Sequence, residues 1–156
     1  MNVIEGNVFD EGLPLRPEGY SMVFLAEVIA SHCRGLPELE RLVRRSFELT
    51  RPGGMLLFNL FLTMDGYKPD TLARELSEVV WSVAFTRKEL TNILDQLQLD
   101  IIRDESAHDV EKANLAPEAW PPTGWFPDWS QGKDLFDLPA GRAPLELRWI
   151  ECRRRA

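Results

Sequence analysis

The sequence lacks a concentrated basic region. Its 156 residues include 18 lysines and arginines against 25 aspartates and glutamates, which gives a formal net charge of -7. A nucleic-acid interface needs basic side chains gathered on one face. The only basic run, Arg153 to Arg155, stands at the C-terminal end, where a solvated tail is the simpler interpretation. We therefore expect no nucleic-acid partner.

Long apolar segments and metal-ligand patterns are also missing. No apolar segment approaches the ~20 residues that a membrane helix needs, and the N-terminus lacks the regions of a signal peptide. Cys33 and Cys152 lie far apart, and His108 and Asp109 have no partner cluster, so neither a disulfide framework nor a metal site is predicted. These absences predict a soluble, cytoplasmic protein without membrane contact.

The most informative stretch is an apolar run, a helical segment and a second apolar run. The first run is Met22–Ala30 and the second is Met55–Leu62. Apolar runs without alternation are typical of parallel strands buried on both faces. The amphipathic segment Leu36–Leu49 carries Pro37 in its first turn and is followed by the stop signal Thr50–Gly54. The pattern predicts a strand, helix and strand unit.

The rest of the chain supplies further elements. Thr86 and Glu89 form a capping-box pattern that predicts the start of a helix. The other predicted elements are strands at Asn2–Phe9, Leu99–Asp104 and Leu145–Arg153, the last near a sheet edge, and a helix at Asp70–Trp81. We expect one α/β domain over residues 1–156, with a mainly parallel sheet of about five strands and helices on both faces.

A tryptophan- and proline-rich insertion is predicted at about Ala107 to Ala143. It holds five of the eleven prolines and three of the five tryptophans. Flexible linkers avoid large aromatic side chains, so an ordered excursion is expected. Two interpretations stay open. Trp120, Trp125 and Trp129 could form the aromatic walls of a substrate cover, or they could anchor a loop that fills one face.

The order of these elements resembles the C-terminal two thirds of class I S-adenosylmethionine-dependent methyltransferases. The similar segments are VIEGNVFDEGLPL (Val3–Leu15, third strand and acidic loop), YSMVFLAEVIASH (Tyr20–His32, fourth strand), LTRPGGMLLF (Leu49–Phe58, fifth strand), FTRKELTNILDQLQLDIIRDES (Phe85–Ser106, helix and sixth strand) and LELRWIECRR (Leu145–Arg154, seventh strand). The resemblance implies a Rossmann-like sheet with an antiparallel last strand. It also implies the strand order three, two, one, four, five, seven, six.

The resemblance implies S-adenosylmethionine as cofactor and a set of residues that hold it. The implied cofactor-binding residues are Asn7, Val8, Asp10, Leu25, Ala26 and Glu27. Asn7 stands where the family usually has an aspartate. The sequence has no counterpart of the family's glycine-rich turn or of the second strand, whose terminal carboxylate holds the ribose. We therefore expect a truncated domain.

The truncation has a consequence for the fourth strand, at Met22–Ile29. The absent strands would separate it from Asn2–Phe9, so one of its edges is left without a neighbour. An apolar strand with an unpaired edge pairs readily with another chain. We expect either that Asn2–Phe9 moves into the vacant place, or that a second copy or a partner chain covers the edge.

Several side chains have two interpretations each. His32 suits a general base, because imidazole titrates near neutrality, but a histidine at such a position is more often a loop residue with satisfied nitrogens. Glu27 either lies at the cofactor edge of the sheet, or it is a carboxylate that caps a helix or forms an ion pair. Asn7 and Asp10 bind the adenine amino group or form turns. Asn59, a polar residue in an apolar run, binds substrate or locks the sheet internally.

The function that the resemblance implies is methyl transfer from S-adenosylmethionine to a small-molecule or unidentified acceptor. This reaction is a displacement at a cationic sulfur, so the protein mainly positions the reactants and excludes water. The absence of a sharp catalytic motif fits such chemistry. The competing hypothesis is a catalytically inactive, methyltransferase-like interaction or regulatory module, or one half of a split enzyme.

Overall fold

The computed structural model describes residues 5–10, 12–26, 28–29, 33, 35–63, 84–131 and 145–156, without the side chains of residues 84, 129 and 145. The strands in these ranges are β1 (Tyr20–Leu25), β2 (Thr50–Thr63), β3 (Ala84–Thr86), β4 (Leu99–Ser106) and β5 (Leu145–Arg154). The helices are α1 (Leu36–Leu49), α2 (Arg87–Gln96), α3 (Ala107–Asn114) and α4 (Phe126–Ser130), with a 3-10 turn at Pro117–Ala119. The predicted helix at Asp70–Trp81 lies outside the described residues.

The strands form a mixed sheet in the order β1, β2, β5, β4. β1 and β2 are parallel, and β5 runs antiparallel to both of its neighbours, β2 and β4. The short β3 pairs in parallel with the C-terminal end of β2. The order is the one that the resemblance implies for the fourth, fifth, seventh and sixth strands. The predicted α/β class, with a mainly parallel sheet and an antiparallel last strand, is confirmed.

Helix α1 occupies the predicted range, Leu36–Leu49. Pro37 lies in its first turn, where its missing N–H costs nothing. The helix ends where Thr50 adopts an extended conformation, and the Thr50 hydroxyl donates to the carbonyl of Ser46 at 2.7 Å. The buried side of the helix presents Leu39, Leu42 and Val43 to the sheet.

The Thr50–Gly54 segment does more than stop the helix, because it already belongs to β2. Tyr20 pairs with Thr50 and Met22 pairs with Met55, so the segment forms a bulge. A Cβ on Gly54 would stand 2.8 Å from the Arg51 carbonyl oxygen and 3.1 Å from that of Tyr20. A glycine is therefore required at this point of the bulge.

The predicted capping box opens α2. The Glu89 amide donates to Thr86 Oγ1 at 3.1 Å, and the Thr86 amide donates to Glu89 Oε2 at 2.8 Å. Both groups are half-buried, so the box satisfies donors that the first helical turn leaves free. It fixes the start of α2 at Arg87.

Side-chain alternation gives the sheet two different faces. Helices α1 and α2 pack on the first, which we call the covered face. Its buried strand residues are Leu56, Phe58, Leu60, Leu62, Ile150 and Cys152. The second, which we call the open face, carries Met22, Phe24, Leu57 and Trp149 at the alternate positions. Helix α3 packs beside it on β4 and β5.

Two predicted boundaries were wrong. β1 ends at Leu25, and Val28 and Ile29 are helical, with Ile29 fully buried. Residues 5–9 of the predicted strand Asn2–Phe9 form a bend and turns, because the Asn7 side chain accepts from the Phe9 amide at 3.0 Å. They do not pair with β1, and residues 2–4 lie outside the described ranges. The insertion predicted at about Ala107 to Ala143 begins with the helix α3, and its extent stays a prediction.

Candidate functional site

Three strands end at one edge of the sheet, which we call the carboxyl edge. β1, β2 and β4 point the same way and end there at Leu25, Thr63 and Ser106. Ligands of open α/β sheets bind outside this edge. α1 connects the parallel strands β1 and β2, so the chain enters it from the side of this edge. Helix α3 directly follows β4, so it also starts at this edge.

A cavity of about 630 Å³ lies between residues 6–9 and the first half of α1. Its lining residues are Gly6, Asn7, Val8, Phe9, Val28, Cys33, Glu38, Arg41 and Leu42. The cavity brings together two of the predicted cofactor-binding residues, Asn7 and Val8. It also contains Val28 and Cys33, the described neighbours of Glu27 and His32, which themselves lie outside the described residues.

Contacts with α1 hold one wall of the cavity in place. Arg45 Nε donates to the Val8 carbonyl at 2.9 Å, and its Nη1 pairs with Glu48 at 3.2 Å. The Arg41 guanidinium lies 4.1 Å from the centroid of the Phe9 ring. A cation–π contact of this kind contributes about 0.5–2 kcal/mol. The segment is therefore attached to α1 although it has no regular secondary structure.

The cavity has apolar walls and a polar rim. Val8, Phe9 and Val28 are half-buried and Leu42 is buried, whereas Asn7 is exposed at the mouth. This combination suits a flat, largely apolar ligand with a few hydrogen-bonding atoms. Sequence reasoning missed Phe9 and Arg41, because no local pattern brings residues so far apart in the chain together.

The turn-forming interpretation of Asn7 and Asp10 is visible in the structure. Asn7 Oδ1 accepts from the Phe9 amide at 3.0 Å, and Asp10 Oδ1 accepts from the Gly12 amide at 2.9 Å. The turn leaves the Asn7 side-chain NH2 group for another acceptor, because the turn uses only its oxygen. Leu25, the last residue of β1, is half-buried, and Ala26, which follows it, is exposed. Neither is among the lining residues.

The predicted substrate-binding residues are spread over two places. Asn59 is fully buried in β2, opposite Trp149 of β5 and four residues before the carboxyl edge. Trp120 and Trp125 lie in the excursion that follows β4, and Trp125 is 60% exposed. Trp129 belongs to α4, and its side chain lies outside the described part of the chain.

The start of the excursion is an ordered aromatic cluster. The His108 ring meets Trp120 edge-on at 5.0 Å, and Trp120 meets Phe126 edge-on at 5.9 Å. His108 Nδ1 lies 3.1 Å from Gln131 Nε2 and 3.3 Å from Ser130 Oγ. These contacts join α3 to α4 beside the carboxyl edge. Both interpretations of the excursion, a substrate cover or an anchored loop, are compatible with them.

The two cysteines are buried thiols. Burial, with the nearby Glu38 carboxylate, raises the pKa of Cys33 from 9.0 to about 12. Burial, with Glu151 and Asp100, raises the pKa of Cys152 from 9.0 to about 12. A nucleophilic cysteine needs the opposite shift, towards the thiolate. Cys33 therefore contributes to the cavity as a small apolar side chain.

We expect both thiols to resist iodoacetamide in the native protein and to react once it is unfolded in guanidinium chloride. Because their pKa values are raised in the folded state, the unfolded state loses thiol protons first as pH rises, so stability falls above about pH 9. Denaturant unfolding at a series of alkaline pH values measures this slope. The Cys33→Ala and Cys152→Ala double variant is the control and should show a shallower slope. Equal labelling of native and unfolded protein would contradict the burial.

The described residues include neither a helix suited to cross a membrane nor a cluster suited to bind a metal ion. None of the helices in these ranges has the length and apolar composition that a membrane crossing needs. The same ranges contain no group of three or more His, Cys, Asp or Glu side chains placed to hold a metal ion.

Comparison with solved structures identifies the fold. A Galdieria sulphuraria protein assigned as a sarcosine dimethylglycine methyltransferase superposes with a TM-score of 0.60 at 11% identity, over 96% of this chain and 58% of that one. Geranyl diphosphate C-methyltransferase from Streptomyces coelicolor superposes with a TM-score of 0.59 at 10% identity, over 96% and 52%. The chain has a class I methyltransferase-like fold.

The methyltransferase-like fold does not by itself decide the reaction. The [4+2]-cyclase SpnF also superposes, with a TM-score of 0.51 at 12% identity, over 93% of this chain and 53% of that one. This chain therefore spans about half the length of the solved structures it matches. Neither the protein-family models nor the curated proteins give a match to the sequence. Function has to be argued from the site.

Proposed function

We propose that this chain is the part of an S-adenosylmethionine-dependent methyltransferase that holds the adenine of the cofactor and the small-molecule acceptor. The observation that carries the proposal is the cavity beside the carboxyl edge, which Asn7 and Val8 line. Similarity to methyltransferases that act on small molecules supports the reaction class. It supports nothing finer, because the identities are low.

The cavity residues fit the adenine part of the cofactor. Val8, Phe9 and Val28 offer apolar surface for a flat ring, and the free NH2 group of Asn7 at the rim can donate to a ring nitrogen. Leu25 and Ala26, at the end of β1, would lie near the methionine part, with Glu27. When bound, S-adenosylmethionine supplies a methyl group activated by a positively charged sulfur.

The remaining predicted residues, apart from Asn59, would serve the acceptor. Trp120, Trp125 and Trp129 would cover it and exclude water. Asn59 is fully buried in β2, so it would act by locking the sheet internally rather than by binding the acceptor. His32 would accept a proton from the acceptor as the general base. Positioning dominates in such a reaction, so the proposal needs no strongly activated nucleophile.

We also propose that another chain completes the site. The sequence has no counterpart of the glycine-rich turn and the ribose-binding strand, and in the described ranges one edge of β1 has no strand beside Met22–Leu25. A second copy or a partner chain that pairs with this edge would supply the missing neighbour. The chain alone then contributes only part of the binding energy.

Calorimetric titration with S-adenosylhomocysteine and with adenosine tests the proposal. We expect both to bind, because both place adenine in the cavity, and S-adenosylhomocysteine to bind more tightly, because Leu25, Ala26 and Glu27 would contact the homocysteine part that adenosine lacks. Val8→Trp, which fills the cavity, should weaken binding at least tenfold. Val110→Trp on α3 is the matched control and should leave binding unchanged.

Two outcomes would overturn the proposal. Absence of binding at millimolar ligand would favour the inactive interaction module. Binding that Val8→Trp leaves unchanged would mean that the ligand occupies another part of the molecule.

A further inference from the structure

The open face is buried towards the carboxyl edge, where Phe61 of β2 and Leu147 of β5 have almost no exposed surface, but it is exposed at β1. Met22 is 51% exposed and Phe24 is 53% exposed, and both project from β1 to this face. Parallel strands are normally covered on both faces. Helices α1 and α2 cover the other face, and α3 packs on β4 and β5. Adjacent exposed apolar side chains of this size mark an interaction surface.

Next to these side chains the open face forms a groove of about 260 Å³. The rings of Phe24 and Trp149 stack at 5.7 Å with an angle of 16° between their planes. They come from β1 and β5, so they meet above β2, where Leu57 contributes to the lining. Val110 of α3 lines the groove on the far side. The groove is therefore largely aromatic and aliphatic.

The rim of the groove is acidic. Glu105, Glu111 and Glu151 line it together with one basic residue, Arg103. Arg103 Nε lies 3.7 Å from Glu105 and 3.8 Å from Glu151, so a single guanidinium is shared between two carboxylates. Three carboxylates and one guanidinium leave the rim with a net negative charge. An apolar groove with this rim complements an apolar ligand surface flanked by positive charges.

We propose that the open face docks an amphipathic helix of a partner protein, with its apolar side on Met22, Phe24 and Trp149 and with lysine or arginine side chains against the acidic rim. A helix with this pattern presents apolar and basic positions on adjacent stripes, which is the form of ligand that grooves of this kind bind. A second copy of this chain is disfavoured as the occupant, because a symmetric contact would bring two acidic rims together. The inference does not depend on cofactor binding.

Fluorescence anisotropy with two designed peptides tests the inference. Both peptides carry leucine at helical positions i, i+3, i+4 and i+7, and the flanking positions are lysine in one and glutamate in the other. We expect the lysine peptide to bind at least tenfold more tightly. Phe24→Ser should weaken it at least tenfold, whereas Ile102→Ser, at a residue that is 50% exposed on the β4 bulge, should not.

A charge-matched pair of variants separates docking from general attraction to an acidic protein. Glu111→Gln in the rim should weaken binding of the lysine peptide several-fold, whereas Glu118→Gln in the 3-10 turn should leave it unchanged. Circular dichroism shows that each variant is folded. Equal affinity for both peptides, or equal effects of the two glutamine substitutions, would overturn the inference. Light scattering that finds a dimer, converted to monomer by Phe24→Ser, would also overturn it in favour of a second copy.

Discussion

Replacing Phe58 with alanine is expected to lower the free energy of unfolding by about 3–5 kcal/mol. Phe58 is fully buried in β2, with Leu25 of β1 as its partner on one side and Ile150 of β5 on the other. Its removal leaves a cavity between the sheet and α1, which close packing cannot fill without moving both. Urea unfolding followed by circular dichroism measures the loss.

The matched control is Phe24→Ala, on the neighbouring strand. Phe24 is 53% exposed and loses mainly its stacking on Trp149, so we expect a decrease of no more than about 1.5 kcal/mol. The difference between the two variants tests the distinction between the covered and the open face. Similar losses would show that the open face is buried against another part of the protein.

The local signals of the sequence predicted the range of α1 and the start of α2. The limits of α1 follow from Pro37 and from the spacing of Leu39, Leu42 and Val43, which all act within the helix. The start of α2 follows from a capping box that involves only residues three positions apart. Such signals are readable because the interacting groups are close in the sequence.

The strand ends were harder to predict for a physical reason. A continuous apolar run does not distinguish a buried strand from a buried helical turn, and Ile29 is buried in helical conformation. Near the N-terminus, the side-chain hydrogen bond of Asn7 formed a turn where the apolar positions favoured a strand. In both places the conformation depends on a contact that the spacing of apolar residues in the sequence does not indicate.

The order of the strands came from the resemblance and not from periodicity. β5 lies between β2 and β4, and this placement depends on pairings between residues far apart in the chain. The lining of the cavity also depends on contacts between residues far apart in the chain. Asn7 and Val8 were predicted to line a site together, but Arg41 joins them only because its guanidinium stacks on Phe9. No local pattern contains that contact.

Replacing Asp104 with alanine is expected to lower the free energy of unfolding by about 1.5–3 kcal/mol, because it leaves charged donors without an acceptor. Asp104 lies in β4 and its side chain is 18% exposed. Its carboxylate accepts from Arg148 Nε at 2.8 Å and also pairs with Arg87 at the start of α2. One carboxylate thus joins β4, β5 and α2. Guanidinium chloride is unsuitable here because it screens charge, so urea unfolding is the measurement.

Asp100→Ala is the matched control on the same strand. Asp100 pairs with Arg155 at 2.6 Å, and the hydrogen bond from Arg155 lowers the pKa of the carboxyl group, but both side chains are about half exposed. Water replaces such a pair readily, so no change beyond experimental error is expected. If both variants lost the same stability, burial would not be the reason for the loss. A larger loss at Asp104 would mean that this carboxylate holds α2 and β5 against β4. It would then also fix the C-terminal end of β4, from which α3 starts at the carboxyl edge.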